Sequence, residues 1–272
     1  NKKFNITDIS SKVVSRNPSG PFTTSTLQQV ASSRLGFGAS RTMQIAQKLY
    51  QGIEIEGDTV GLITYMRTDG TNLSADAVTD FRNFIKKEYG NEYLPENPNN
   101  YSGKKAKNAQ EAHEAIRPTD INRNPDSIKK YLSSDQQKLY SLIWSRALSS
   151  QMETAKFDRN TITIESEDGK TICKSSGSVL KFDGFLKVYS NQSKDDDEQI
   201  LPEMSKGPIN IEALIDEQHF TQPPPRYSEA SLVKKLEELG IGRPSTYASI
   251  ISTIANRGYA EIVNKRFFPT DR

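Results

Sequence analysis

The sequence predicts an α+β chain of more than one domain, and three observations carry the prediction. Up to about residue 151, apolar residues recur at helical spacing in several separate runs. From residue 161 to 215 the texture changes to short alternating runs divided by glycine-containing turns, the pattern of an antiparallel sheet. Near the C-terminus two short helical runs flank Gly240-Ile241-Gly242. At 272 residues the chain can bury a real core and suits one large or two to three small domains. With 34% hydrophobic and 26% charged residues and no apolar run of membrane-spanning length, a soluble protein is expected. A formal charge of +2 is too small to advertise a polyanion partner, so any such contact must come from local clusters. The single cysteine, Cys173, excludes an internal disulfide and a cysteine-based zinc knuckle and fits a reducing compartment. The chain opens on Asn1-Lys2-Lys3 without initiator Met or signal peptide, and it reads as a piece cut from a longer protein.

Taken in order, residues 1–26 read as extended, with alternation from Asn5 to Val14 and a break at Asn17-Pro18-Ser19-Gly20-Pro21. Helices are expected from Thr26 to Leu35 and from Ser40 to Tyr50, the second with Met43, Ala46, Leu49 and Tyr50 as a core stripe. Val60 to Thr68 is rich in β-branched and aromatic residues and reads as a strand with Ile63, Tyr65 and Arg67 on one face. Asp69-Gly70 turns the chain, and Ser74 is placed to cap a helix that presents Val78, Phe81, Phe84 and Ile85 and stops at Gly90. Residues 91–108 form a loop whose Lys104, Lys105 and Lys107 read as a solvated cluster. A short helix over 109–117, ended by Pro118, would put His113 and Arg117 at i and i+4 on one face.

A long helix from Ser134 to Gln151 closes this part. Strands are expected at Thr161–Ile164, Thr171–Lys174, Ser178–Phe182, Phe185–Tyr189 and Asn210–Ile215, with the N-terminal strand pairing into their sheet. The acidic run Asp195-Asp196-Asp197-Glu198 lies in a polar loop with nothing to fix ligand geometry, so it reads as solvated and not as a metal site. Gln222 to Arg226 is a stiff proline linker, followed by helices at Ser228–Leu239 and Ser245–Asn256. Arg243 and Thr246 sit at the start of the second of these, where backbone N–H groups favour a phosphate.

The chemistry concentrates at Tyr65 and Arg67. A free phenol titrates near pH 10 and is a poor nucleophile at neutrality unless a cation, base or metal stabilises the phenolate. A guanidinium two residues on could hold a phosphate while the phenol attacks its phosphorus. Spacing alone favours an ordinary strand with a half-buried tyrosine, since Tyr-x-Arg is common on strands. His113 beside Arg117 could bond a phosphate or move a proton, although a surface Glu/His/Arg pairing explains the same spacing.

The longer strings are more specific than their spacings. Gly61 to Ser74, with Thr64-Tyr65-Met66-Arg67-Thr68-Asp69 at its centre, resembles the active-site segment of bacterial type IA DNA topoisomerases. Ala109 to Thr119 and Pro224 to Ser228, running on to Gly240 to Ala248, match the same family in the same order. Gly70 departs from the pattern, because many bacterial members carry serine there; a change of turn and not of chemistry is expected.

The resemblance implies an ATP-independent isomerase that cuts one DNA strand with Tyr65, forms a 5′-phosphotyrosine, passes a strand and reseals, relaxing negatively supercoiled DNA. Arg67 would stabilise the transition state and His113 would contact the phosphate, with Arg67, Arg117, Arg243, Thr246 and the tail residue Thr270 as DNA contacts. It further implies a discontinuous β arch, residues 1–24 with 153–221, around a helical gate domain at 25–152, and a partial DNA-groove domain at 222–272. The full enzyme uses Mg2+ held by an acidic domain, of which nothing here matches. No metal ligand is therefore expected in this chain, which is expected to be unable to cleave alone. A monomeric full enzyme, cytoplasmic on the bacterial nucleoid and free of membrane, completes the expectation. A tyrosine recombinase or type IB enzyme would instead place its tyrosine after a His-x-x-Arg motif, whereas Tyr65 precedes His113. A non-catalytic DNA-binding module is the remaining alternative.

Overall fold

The computed structural model describes residues 3–101, 114–189, 204–213 and 215–272. In chain order the regular elements are β1 (Phe4–Arg16), α1 (Thr24–Val30), α2 (Ala39–Gln51), β2 (Ile53–Ile55), β3 (Asp58–Val60), α3 (Ala75–Glu88), α4 (Ser134–Ser149), β4 (Ala155–Ser166), β5 (Ile172–Phe182), β6 (Gly207–Ile209), α5 (Glu229–Glu238), α6 (Tyr247–Asn256), β7 (Ala260–Val263) and β8 (Arg266–Pro269). The chain divides into two compact units, Asn1–Pro18 with Glu153–Pro223 and Ser19–Met152 with Pro224–Arg272. The α+β class with antiparallel sheets is the one the sequence predicts.

The first unit is an antiparallel sheet in the order β5-β4-β1-β6. β1 and β4 pair along their full lengths, from Phe4 opposite Ser166 to Arg16 opposite Ala155, so the N-terminal strand does join the later sheet. Three strand expectations need correction. Thr171–Lys174 and Ser178–Phe182 are one strand, because Ser175 to Gly177 stay paired to β4 and the glycine does not break the ladder. Phe185–Tyr189 is not a strand: Gly184–Lys187 is a 3-10 turn, and it buries Phe185 and Tyr189 four residues apart. Gly184 takes φ 48 there, where an added Cβ would meet the Glu153 carbonyl at 2.5 Å. Pairing with β1 covers only Gly207 to Ile209, since β1 bulges between Ile6 and Asp8, and Asn210 to Ala213 is irregular. The acidic run at 195–198 lies outside the described residues.

The second unit is built on helices, and the local signals hold. Ser74 caps α3 by accepting from Ala77 N, and Ser133 with Gln136 forms a capping box on α4. Leu139, Tyr140, Ile143, Ala147 and Leu148 of α4 are fully buried, and Trp144 donates its indole N–H to the Ile121 carbonyl at 2.9 Å. α1 runs on into a π-helical turn, Ala31–Leu35, stopped by Gly36 at φ 68.

Residues 224–269 hold a feature absent from the sequence reading. α5 and α6 are followed by a hairpin, β7 and β8, turned on Asn264 and Lys265 at φ 49 and 62. Val233, Leu236, Tyr247, Ile251, Ala260 and Phe267 bury together with Ala39 of α2. Ser25 donates to Glu237 at 2.7 Å, and the Glu229 carboxylate accepts from Ala39 N at 2.7 Å. That second contact caps α2, whose own N-cap Gly38 has no side chain to do so. Among the described residues no helix is long and apolar enough to cross a membrane.

Candidate active site

β3 ends at Val60, so the segment bearing Tyr65 is not the expected strand. Its backbone partners are spread over several elements instead of one ladder. Leu62 N donates to the Leu49 carbonyl at 2.8 Å, Thr64 N donates to the Arg117 carbonyl at 2.9 Å, and Thr119 N donates to the Leu62 carbonyl at 3.0 Å. Gly61 runs so close to α2 that a Cβ would lie 2.8 Å from the Tyr50 carbonyl. Further along, Thr24 at the start of α1 grips the chain: its hydroxyl donates to the Met66 and Thr68 carbonyls at 2.7 and 3.1 Å and accepts from Thr68 N at 2.8 Å. Both flanks of Tyr65 are therefore held by side-chain hydroxyls, since Thr64 also donates to the Ala115 carbonyl at 2.7 Å and accepts from Arg117 N at 3.0 Å.

This lacing decides which side chains face outward. Leu62, Ile63, Met66 and Thr68 are buried at 1% exposure or less, whereas Tyr65 is 43% exposed and Arg67 is also exposed. Tyr65 and Arg67 thus share an outward direction, and Ile63 does not belong with them. The Tyr65 ring meets Tyr50 edge to face at 5.3 Å, which fixes its base and leaves its hydroxyl without a hydrogen-bond partner among the described residues. Arg67 likewise has no ion pair there. It opens on a groove of about 420 Å³ together with Ser40, Ser245, Ser249, Ser252 and Thr253, at the N-terminal end of α6.

The helix expected over 109–117 is not formed by the part of it that can be seen; residues 109–113, with His113, lie outside the described residues. Residues 114–118 are extended, with Ile116 bridged to Phe22 and Pro118 to Ile63. Proline disfavours helical backbone at the residue before it, and buried Ala115 and Ile116 gain more by filling this site. Arg117 is occupied: it donates from Nε and Nη2 to Glu114 at 2.6 and 3.0 Å and from Nη1 to the Pro118 carbonyl at 2.9 Å. Burial alone would push the Glu114 carboxyl up; hydrogen bonds from Arg117 and Ser74 N and the Arg117 charge together hold it below its ordinary value. Glu114 in turn fixes the start of α3 by accepting from Ser74 N at 2.7 Å.

The remaining candidates are engaged locally. Arg243 donates to the Gly242 carbonyl at 2.7 Å, and Thr246 accepts from Arg243 N at 2.8 Å, so this pair shapes the turn into α6. Thr270 donates to the Gly258 carbonyl at 2.5 Å and ties the hairpin to the end of α6. Burial raises the Tyr247 phenol, Glu237 adds to this, Arg243 opposes it and Asp69 adds again, so the Asp69 turn and the Arg243 turn both act on one side chain. Sequence reading missed Thr24 and Thr64, neither of which carries a local signal for its long-range partner; it offered a Glu/His/Arg pairing at Arg117 but not the bond from Ser74 N to Glu114. Among the described residues no three His, Cys, Asp or Glu side chains cluster to hold a metal.

A clamped segment exposing a phenol and a guanidinium beside a helix N-terminus is what the comparisons meet. The DNA topoisomerase family model matches residues 1–272, and the chain belongs to that family. It is 53% identical to DNA topoisomerase 1 of Rickettsia typhi over 99% of this chain and 35% of that protein. It is 50% identical to DNA topoisomerase 1 of Xylella fastidiosa over 99% of this chain and 34% of that protein. Full-length topoisomerase I from Thermotoga maritima superposes with a TM-score of 0.86 at 40% identity, covering 99% of this chain and 43% of that structure. The chain thus spans about a third of the length of its curated relatives.

Proposed function

We propose that this chain is the tyrosine-bearing part of a type IA DNA topoisomerase, acting on a single-stranded stretch of negatively supercoiled DNA. The observation that carries the reading is the pairing of Tyr65 and Arg67, outward on a segment whose flanks are held by Thr24 and Thr64. Tyr65 Oη attacks the phosphorus of a phosphodiester; a P–O(Tyr) bond forms, the P–O3′ bond breaks, and the phenol proton ends on the freed 3′ oxygen. The bond energy is kept in the 5′-phosphotyrosine, and the reverse attack reseals the strand without ATP. Arg67 offers charge to the pentavalent phosphorus, where a preorganised donor is worth most. His113 is assigned the phosphate contact beside it on its motif alone.

Arg117 supports this site through Glu114, holding the backbone that Thr64 grips. Arg243, Thr246 and Thr270 are assigned to DNA contact, with the groove at α6 as the path of the backbone; affinity carried by such contacts falls as salt rises. The β unit, about residues 1–24 with 153–221, serves as the bending arch that lifts the helical part, 25–152, for strand passage, and 222–272 belongs to the DNA groove. The full enzyme works as a monomer on the nucleoid, with Mg2+ held by another domain.

The test mixes the chain with a labelled single-stranded oligonucleotide and magnesium. Binding is expected, weakened by Arg67→Ala, with no denaturation-resistant adduct and no relaxation by the chain alone. Adding the metal-binding domain in trans should produce an adduct at the 5′ phosphate that Tyr65→Phe abolishes. An adduct at the 3′ phosphate would assign the chain to the recombinase or type IB chemistry, and one that survives Tyr65→Phe would remove Tyr65 from the reaction.

A further inference from the structure

Attack by Tyr65 requires its ring to be aimed, and the backbone clamps do not aim it: Thr24 and Thr64 hold its flanks and leave the side chain free above Cβ. A phenol that is 43% exposed can turn about χ1 among three staggered wells, and only a well that carries Oη along the line of attack is productive. The ring that meets it is Tyr50. Helical spacing puts Tyr50 in the core stripe of α2 with Ala46 and Leu49, yet those two are fully buried and Tyr50 is 40% exposed. A tyrosine left so open in the last turn of a helix adds little to a core. Its hydroxyl bonds to none of the described residues, while its ring lies 5.3 Å from that of Tyr65 with the planes at 66°.

The backbone is arranged to bring these two rings together. The β2–β3 hairpin pairs Ile53 with Val60 and so returns the chain to the end of α2. Leu62 N then donates to the Leu49 carbonyl at 2.8 Å, and Gly61 passes where a Cβ would lie 2.8 Å from the Tyr50 carbonyl. A side chain at 61 would push the segment off α2 and part the rings, so the glycine is what lets the two backbones approach. Residues next to each tyrosine in the chain are thus tied to one another, and the ring contact follows from that tie.

We propose that Tyr50 is a positioning residue for the Tyr65 nucleophile: its ring packs edge to face against the Tyr65 ring and holds it in the rotamer from which Oη attacks phosphorus. The inference rests on the topoisomerase reading of Tyr65. The ring carries the effect, not the hydroxyl. An edge-to-face pair biases a rotamer equilibrium by about two- to tenfold, so its removal slows attack by that order and leaves DNA affinity, carried by Arg67 and the α6 groove, as it was.

The experiment measures single-turnover adduct formation by the full-length enzyme on a saturating labelled single-stranded oligonucleotide with magnesium, alongside the oligonucleotide's affinity. Tyr50→Leu should lose about fivefold in rate at unchanged affinity, and Tyr50→Phe, which restores the ring, should recover the rate. NMR of the 272-residue chain with ring-labelled tyrosine reads the contact without any reaction. The Tyr65 signal, assigned among 11 tyrosines by its loss in Tyr65→Phe, should carry a ring-current shift that Tyr50→Phe keeps and Tyr50→Leu removes. Tyr50→Gln, also ring-free and a good helix former, takes the place of Tyr50→Leu if that variant fails to fold. A rate that the ring-free variant leaves unchanged, a loss that Tyr50→Phe does not recover, or a Tyr65 signal indifferent to Tyr50 overturns the positioning role. An adduct abolished by Tyr65→Phe but indifferent to Tyr50 sinks this role alone. No adduct in the unmodified enzyme, or one that survives Tyr65→Phe, sinks the topoisomerase reading and this role with it.

Discussion

The two units of this protein are held together differently. In the sheet unit, three long strands, β1, β4 and β5, pair along nearly their whole length, yet Val13, Ile172 and Leu180 are 62, 60 and 50% exposed. In the helical unit, Phe22, Leu27, Leu49, Leu62, Phe81, Tyr140 and Ile143 are all at 1% exposure or less. The sheet buries a smaller set, Ile6, Phe157, Ile162 and Phe185 among it, and leaves positions such as Val13 open to change; the helical unit depends on many interlocked side chains, where a single methylene is felt. The segment that carries Tyr65 and Arg67 lies in the second kind of environment. An irregular stretch such as 61–68 forms no ladder, so scattered hydrogen bonds to Leu49, Arg117 and Thr24 and the burial of Leu62, Ile63 and Met66 hold it together.

The contrast is sharpest in matched truncations. Ile143→Ala should cost about 3 kcal/mol through lost burial and the cavity left behind, whereas Val13→Ala on the exposed sheet should stay within about 0.5 kcal/mol. Denaturant titration of each variant measures the pair, and equal losses would erase the distinction. Next in size, Thr24→Val keeps the shape of a fully buried side chain but leaves the Thr68 N–H without its acceptor. A loss of about 2 kcal/mol is expected, with weaker oligonucleotide binding through a misplaced Arg67; stability lost without any change in binding would show that the clamp does not position the arginine.

A loss smaller than those at Ile143 and Thr24 is expected at Glu114. A carboxyl held below its ordinary value of 4.5 binds fewer protons when folded, so its stabilising share is complete above 4.5 and drains away as pH falls through the lower folded value. Glu114→Gln should lower stability at pH 7 by about 1 kcal/mol, discounted for the solvent-facing edge of its pair with Arg117, and should lose part of the acid sensitivity below 4.5. Melting temperatures of both proteins from pH 3 to 7 check this; parallel curves would remove the ion pair from the acid response.

Several readings survived because their causes are local. Ser74 caps its helix, as read, through a bond that spans three residues, so the letters suffice; Ser133 and Ser228 do the same without having been read as caps. The β7–β8 turn was legible in principle, since asparagine tolerates positive φ and Val263-Asn264-Lys265-Arg266 sits between alternating residues. The period of two put Ile63 on one face with Tyr65 and Arg67 and failed there: the strand does not exist, and long-range bonds along 62–68 leave Ile63 buried while the other two are exposed. What failed was pairing: Ser175 to Gly177 looked like a break until β4 supplied partners, and residues 114–117 looked helical until Phe22, Asn72 and Ile63 drew them straight.

By itself, then, the order of residues determined α1 to α6, the cap at Ser74 and the change to sheet after residue 151. Tertiary structure alone decided that Thr24 would hold the backbone at 66–68, that Arg117 would be spent on Glu114 while Arg67 stayed open, and that Gln151 would keep a buried oxygen without a donor. The physical reason is range. A cap or a turn is satisfied within a few residues, whereas Thr24 reaches a carbonyl 42 residues away and the Gln151 amide is anchored 52 residues back; for the two arginines the packing of distant neighbours decides, enclosing one and leaving the other on a groove.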